Sequence, residues 1–289
     1  MKKVAVLALA LALAASVGLA GCGQKQEPAA EPTVPETPAL SGTINIQGSD
    51  TMVNLATAWA EKFMDENPDV EVSVQGGGSG TGIAALINGT VDFANASREM
   101  KEEEIAEAKS KGIQPVEHKV AIDGIAVVVN KANPVEGLTL EQLGKIFRGE
   151  ITNWKDVGGP DKPIVLLSRD SSSGTYEYFK EAVIGKDKEY AKTAKLLPSS
   201  QAIVDEVKAN DAGIGYVGLG YVSDDVKVVA VDGVKASVET AKDGSYPIAR
   251  YLYMYSNGEV SGLLKAYLDW VTGPEGQALV ADEGFVPLQ

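Results

Sequence analysis

Three junctions of one kind constrain this chain of 289 residues more than any other feature. In each, a short β-like run ends in glycine, serine and threonine, and an amphipathic helix begins: 46–51 (IQGSDT), 74–82 (VQGGGSGTG) and 168–176 (SRDSSSGTY). Such a turn presents unpaired backbone N–H groups and hydroxyls at a helix N-terminus, which favours a bound anion. Three similar turns, with Arg98 and Arg169 nearby, predict one small oxyanion held between several helix ends.

Strand and helix patterns alternate along the chain, which predicts an α/β protein with parallel sheets and crossover helices. The β-like runs are 44–47, 70–74, 91–94, 120–130, 164–167 and 249–256. The helical patterns are 52–66, 82–88, 101–111, 140–147, 175–184, 201–209 and, as the predicted final helix, 261–271. The two long runs, 120–130 and 249–256, are predicted to connect two lobes, although the pattern also fits one larger sheet.

The first 40 residues are predicted to precede the folded body. Lys2 and Lys3 are followed by a run rich in alanine and leucine that ends in Leu-Ala-Gly-Cys, which is typical of a signal peptide over residues 1–21. This ending resembles a bacterial lipobox, in which Cys22 becomes a lipidated (palmitate-bearing) N-terminus; the alternative is an incidental thiol. The lipidated cysteine and residues up to 40, rich in Pro, Glu, Ala and Thr, form a predicted disordered tether.

The charge of the chain narrows the choice of partner. The formal net charge is −14, and cleavage before Cys22 would remove two of the 26 basic residues and none of the 40 acidic ones, leaving −16. Nucleic acid is therefore disfavoured, because its affinity depends on neutralisation of phosphates by Lys and Arg. A small anion is compatible with this charge, since surface carboxylates are largely screened beyond about 8 Å at physiological salt.

The first two junctions also have a purely structural explanation. Ser49 and Thr51 offer hydroxyl and N–H donors, but either could simply cap the helix that follows. Residues 76–82 could be a flexible turn, although their five glycines also let a ligand approach the backbone. This segment lacks the lysine of a P-loop, which disfavours nucleotide binding. In the third junction, residues 173–175 open the helix.

Two arginines and one aspartate are the charged candidates for contact with the anion. The planar fork of Arg169, just before the serine run, fits the edge of an oxyanion. The alternative is a surface salt bridge, for Arg169 with Asp170 or another neighbour, and similarly for Arg98. Asp123 lies in an apolar run, where a carboxylate must be paired. It is either the partner of Arg98 or Arg169, or an acceptor of a ligand proton, which would select phosphate over fully ionised sulfate.

The sequence gives enzyme classes little support. The only histidine, His118, has no nucleophile motif around it and is predicted to be a surface residue. Ser79 is not in a G-x-S-x-G elbow, and the clustered His and Asp ligands of a metal-dependent phosphatase are absent from the sequence. No metal or cofactor is therefore expected. Trp59, Trp154 and Trp270 are predicted to pack in a core or at a hinge.

Several segments resemble the phosphate-binding protein of the bacterial high-affinity phosphate ABC importer. They are GSDT at 48–51, GGSGTG at 77–82, VDF at 91–93 with ASR at 96–98, DGIA at 123–126, IFRGEITNW at 146–154 and RDSSSGT at 169–175. The resemblance covers residues 41–289, and segments 147–154 and 169–175 are its most specific parts.

This resemblance implies an α/β, two-lobed periplasmic-binding-protein-like fold, in which each lobe is a mixed sheet flanked by helices and two crossover segments form the hinge. The implied lobes are 41–126 with 249–289, and 127–248. The ligand contacts implied by motif are Ser49, Thr51, Ser79, Ser97, Arg98, Asp123, Arg169, Ser173, Gly174 and Thr175. Some family members have aspartate where Arg98 stands, which makes Asp123 the candidate acceptor of the phosphate proton.

The sequence thus predicts an extracytoplasmic, lipid-anchored monomer that is not an enzyme, binds inorganic phosphate and delivers it to an ABC permease. The nearest alternative is a binding protein for another tetrahedral oxyanion, sulfate or molybdate. A phosphatase-like secreted enzyme is the more distant one. Segment 147–154 is expected to shape the second lobe without touching the ligand.

Overall fold

A computed structural model of the chain describes residues 39–288, which alternate between strands and helices. Its strands are β1 (Gly42–Gly48), β2 (Val70–Gln75), β3 (Phe93–Ala96), β4 (Pro115–Asn130), β5 (Gly137–Leu138), β6 (Val165–Arg169), β7 (Lys195–Leu197), β8 (Gly213–Gly218), β9 (Val226–Val231) and β10 (Ala249–Asn257). Its helices are α1 (Val53–Glu66), α2 (Ser79–Ile87), α3 (Glu102–Ser110), α4 (Leu140–Phe147), α5 (Gly174–Phe179), α6 (Ser200–Ala209), α7 (Val238–Lys242), α8 (Gly262–Thr272) and α9 (Pro274–Asp282).

The long strand β4 belongs to two sheets. Its first part pairs antiparallel with β10, and its last part, from Ile125, pairs antiparallel with β8 and β9. The first sheet has the order β2-β1-β3-β10-β4, and the second continues as β4-β8-β6-β7. The predicted parallel pairing holds among β1, β2 and β3 and among β6, β7 and β8, whereas β4 and β10 run antiparallel to their neighbours. Both sheets are therefore mixed.

Two large hydrophobic cores lie on either side of the point where β4 changes partners. The first is built from residues 44–121 and 252–285, and the second from residues 125–248. Trp59 is fully buried in the first core and donates its ring N–H to the Gly276 carbonyl at 2.8 Å. Trp154 is fully buried in the second and donates to the Ala212 carbonyl at 2.9 Å. Both tryptophans pack as predicted, with their polar nitrogen satisfied.

Two helix predictions differ from the structure. Helix α2 starts at Ser79 and not at residue 82. Its Gly82 lies against the end of β1, where a Cβ would stand 2.3 Å from the Gln47 carbonyl oxygen. The prediction that the helix near residue 261 is the last one is wrong. Helix α9 follows it, with Pro274 at its first position, where a missing N–H costs nothing.

The predicted signal peptide, Cys22 and nearly all of the predicted tether lie outside the described residues. Leu40, assigned to the end of the tether, packs against the first core. Within residues 39–288, no helix is both long and apolar enough to cross a bilayer.

Candidate functional site

The three junctions meet in one place. A Cβ built on Gly174, at the start of α5, would lie 2.3 Å from Ser79 Oγ and 2.7 Å from Ser97 Oγ. The N–H of Gly80 donates to the Ser172 carbonyl at 3.0 Å, so the backbones of the second and third junctions also touch. The turns therefore meet at one place in the fold, and that they hold an oxyanion there stays a prediction.

Buried hydroxyl groups fill the point of contact. Ser49 Oγ donates to Ser97 Oγ at 2.9 Å, and Ser79 Oγ accepts the Ser97 backbone N–H at 3.0 Å. Across the junctions, Thr51 Oγ1 and Thr175 Oγ1 are 2.6 Å apart. All five side chains are at most 2% exposed. Such a cluster supplies both donors and acceptors to any group held inside it.

Helix capping accounts for Ser173 but not for Ser49. Ser173 is the N-cap of α5 and its Oγ accepts the Tyr176 N–H at 3.3 Å, so it serves the helix as well as the site. Ser49 makes no capping hydrogen bond to the turn that it precedes. Its hydroxyl is committed to Ser97 instead.

Arg98 is held by a carboxylate of the neighbouring helix. Its Nη1 and Nη2 donate to the two carboxylate oxygens of Glu104 at 2.8 and 2.7 Å. Burial raises the pKa of Glu104, but the hydrogen bonds from Arg98 and the Lys101 N–H, together with their charges, outweigh it and hold that pKa below its ordinary value. The salt bridge foreseen as the alternative for Arg98 exists, but it is partly buried: the side chains of Arg98 and Glu104 are 9% and 19% exposed.

Arg169 is likewise engaged by protein groups. Its Nη1 lies 3.0 Å from an Asp50 carboxylate oxygen and 2.9 Å from Ser200 Oγ, and its Nη2 donates to the Pro198 carbonyl. The predicted alternative, a surface pair with Asp170, is wrong: Arg169 is 1% exposed and its partner comes from the first junction. Arg169 thus ties the first junction to the third.

Asp123 has a partner that the sequence did not identify. Its Oδ2 accepts Arg250 Nη2 at 2.9 Å and Nε at 3.3 Å, and its Oδ1 accepts the Leu219 N–H at 2.9 Å. Pairing with Arg98 or Arg169, the structural alternative for Asp123, is therefore wrong. Arg250 stands directly opposite Asp123 in the β4–β10 register. The available signal was a lone arginine in an apolar run, which requires a partner as much as a lone aspartate does.

Burial acts on both members of this pair. It raises the pKa of Asp123 and lowers that of Arg250, while the charge of each partner opposes the shift of the other. Asp123 is 0% exposed and Arg250 is 6% exposed, so the pair depends on its hydrogen bonds and not on water.

Arg98, Arg169 and Arg250 each have one guanidinium nitrogen without a hydrogen-bond partner in residues 39–288. Within the described part of the chain, Arg98 Nε, Arg169 Nε and Arg250 Nη1 are buried without a hydrogen-bond partner. Because buried donors are almost always satisfied, these positions are suited to a ligand oxygen or a water. Arg98 and Arg250 also line a cleft of about 740 Å³, whose walls include Tyr178, Tyr251 and Tyr253.

The described residues offer little support for a metal site or for a histidine-based catalytic site. Residues 39–288 contain no cluster of His, Cys, Asp and Glu that could hold a metal ion. His118 is half-buried in β4, less exposed than predicted, and its Nε2 lies 2.8 Å from Ser256 Oγ. The site is thus a buried set of hydroxyls, helix N-termini and guanidinium groups, which suits a small anion.

Comparison with known proteins agrees with this geometry. The PBP superfamily domain matches residues 33–275. The phosphate-binding protein PstS of Bacillus subtilis is 36% identical over 98% of this chain and 92% of its own length. PstS of Pseudomonas aeruginosa is 34% identical over the whole chain and 96% of its own length.

Solved structures give the same result. One, from Clostridium perfringens, is described as a phosphate ABC transporter substrate-binding protein with bound phosphate. It is 36% identical, has a TM-score of 0.81, and the match covers 86% of this chain and all of that one. An ABC-type phosphate transport receptor from Vibrio cholerae is 31% identical with a TM-score of 0.70, over 84% of this chain and 99% of that one. The predicted two-lobed α/β fold is confirmed.

Proposed function

The chain belongs to the PstS phosphate-binding proteins of the PBP superfamily, and from this premise we propose that it binds inorganic phosphate outside the cytoplasm and delivers it to an ABC-type permease. The observation that carries the proposal is the convergence of three helix-opening junctions on one cluster of buried hydroxyls. The relatives are named for binding, which supports a function without catalysis.

The proposed ligand contacts are the ten residues of the motifs: Ser49, Thr51, Ser79, Ser97, Arg98, Asp123, Arg169, Ser173, Gly174 and Thr175. Hydrogen bonds to a charged group contribute about 1.5–3 kcal/mol each. Most of the ten acting together would offset the cost of immobilising the ligand and supply the roughly 8 kcal/mol of micromolar affinity. The contacts already present among these side chains support their acting as a unit.

The lobes are proposed as 41–126 with 249–289, and 127–248. The division is supported by the two hydrophobic cores, which separate near Asp123 on β4 and near Arg250 on β10. Opening about these two strands would part Thr51 from Thr175 and expose two half-sites. Phosphate would then bridge the half-sites and stabilise the closed form.

Selection of phosphate over sulfate is assigned to Asp123. Its oxygens receive three N–H bonds, and a carboxylate has about four lone-pair sites, so it retains room to accept a ligand proton. Sulfate, which carries no proton at neutral pH, would offer only lone pairs to it. Sulfate or molybdate binding is the alternative within the same class.

We further propose that residues 1–21 are a signal peptide and that Cys22, acylated after cleavage, anchors a monomer to the membrane through the tether. The Leu-Ala-Gly-Cys ending supports this. Replacing Cys22 by serine in the producing cell is expected to move the protein from the membrane fraction to the soluble fraction; unchanged membrane association would contradict the anchor.

Isothermal titration with phosphate, sulfate and molybdate tests the function. Protein freed of bound anion by unfolding and refolding is expected to bind phosphate at micromolar or lower concentration and sulfate far more weakly. No phosphate binding would overturn the proposed function. Equal affinity for sulfate would overturn only the role of Asp123.

A further inference from the structure

An arginine outside the motifs also lies at the contact between the junctions. Arg169, in the specific RDSSSGT segment, directs both terminal nitrogens to Asp50, Ser200 and Pro198. Arg250, which belongs to no motif named above, donates from Nη2 to Thr175 Oγ1 at 2.8 Å. That oxygen is the one that meets Thr51 across the junctions.

We propose that Arg250 contacts the bound phosphate directly through Nη1 and that Asp123 is the residue that holds it in place. The inference rests on the proposed phosphate-binding function and adds to it an eleventh ligand residue. Nη1 is the one nitrogen of this guanidinium without a partner in the described residues, although the side chain is 94% buried. A ligand oxygen would satisfy it, at a point already within one hydrogen bond of the threonine pair.

The position of Arg250 couples this contact to closure. Asp123 and Arg250 face each other on β4 and β10, the two strands that run between the cores, and both reach groups of the second core region, Leu219 and Thr175. A phosphate that binds Nη1 therefore binds the hinge itself. Arg250 also lines the 740 Å³ cleft together with Arg98.

The test isolates Arg250 from its partner. Arg250→Gln alone would leave Asp123 buried and unpaired, which can cost the fold. We therefore compare Asp123→Asn, whose amide oxygen can still accept N–H groups of Arg250, with the double variant Asp123→Asn/Arg250→Gln, in which two amides can pair. The double variant is expected to bind phosphate about 10- to 100-fold more weakly than Asp123→Asn, the effect of one lost charged hydrogen bond. Equal affinity in the two variants would overturn the inference.

A second variant keeps the test valid if the amide pair does not fold. Arg250→Lys retains a positive charge beside Asp123 but removes the fork that carries Nη1. It is expected to weaken phosphate binding several-fold while the melting temperature of the phosphate-free protein changes little. Unaltered affinity in Arg250→Lys would overturn the proposal, as would a loss of affinity that merely follows a loss of folded protein.

Arg148→Gln is the matched control. Arg148 is the remaining arginine of the four in the chain, and it pairs with Glu150 at a partly exposed position. Its phosphate affinity should equal that of the wild type. If the wild type itself binds no phosphate, the proposed function fails; if it binds and the Arg250 variants bind equally well, only this inference fails.

Discussion

Substituting Gly174 by alanine should weaken phosphate binding without weakening the fold. The added methyl would lie 2.3 Å from Ser79 Oγ, 2.7 Å from Ser97 Oγ and 3.0 Å from Ser79 Cβ. A real Cβ contact is essentially never below 3.0 Å, so the junctions must separate by about 0.7 Å or Ser79 must rotate. Rotation would break the hydrogen bond from the Ser97 N–H to Ser79 Oγ.

The expected magnitude follows from the cost of overpacking. Inserting a methyl into a close-packed contact costs about 1–3 kcal/mol. In the proposed mechanism, this penalty falls on the closed form, in which α5 meets α2, and is relieved when the lobes part. Since about 1.4 kcal/mol is a tenfold change, the phosphate dissociation constant should rise about 5- to 150-fold. The phosphate-free protein should lose little stability, because alanine is a better helix former than glycine.

Calorimetric titration and thermal melts with and without phosphate measure both effects. Gly137→Ala is the control: its methyl would lie 3.6 Å from the Ala230 carbonyl oxygen, an ordinary contact, at an exposed position on β5. Its affinity should match the wild type. If Gly174→Ala binds phosphate within twofold of wild type, the contact between junctions is not part of the ligand-bound state and the argument fails.

Three further changes separate stability from binding. Glu104→Gln should lower the free energy of unfolding by about 1–3 kcal/mol at pH 7, because a neutral amide hydrogen-bonds Arg98 more weakly than a carboxylate does. The folded pKa of Glu104 lies below its ordinary 4.5, so in urea titrations the wild type should lose this advantage as the pH falls through that folded pKa. Phe147→Ala should cost about 3–5 kcal/mol in denaturant unfolding, while folded protein binds phosphate normally. Lys101→Gln removes a partly exposed bridge to Glu177 and should raise the dissociation constant less than about fivefold, with the difference vanishing at high salt; a salt-independent effect would contradict this.

The fold was predictable where local pattern determines it. Helix α1 and the strands flanking it follow from apolar periodicity, with Leu55, Trp59 and Phe63 buried on one face as expected. Helix α9 was missed because Gly273 and Pro274 are typical of a turn as well as of a helix start. In the structure, Val280 of this helix lies in the first core. The extent of β4, which starts at Pro115, also depends on pairing with β10.

The sequence predicted the chemistry of the site's turns, but not which carboxylate pairs with which arginine. Helix-opening turns carry their donors in the local sequence, so their chemistry follows from composition. Which carboxylate faces which arginine depends on strand register and on long-range packing. Asp123 meets Arg250 across 127 residues, and Arg169 meets Asp50 across more than 100. No local pattern contains that information.

The charge pairs explain how a strongly acidic protein can hold an anion. Each of the three buried arginines is matched by one carboxylate: Glu104, Asp50 or Asp123. The formal charge contributed by these pairs is therefore zero. In the proposed site, an incoming phosphate is stabilised by directed hydrogen bonds from hydroxyls, backbone N–H groups and the one nitrogen of each guanidinium that has no partner within residues 39–288. Such a site would distinguish anions by the positions of their protons and lone pairs. Without excess positive charge, it would not favour an anion for its net charge alone.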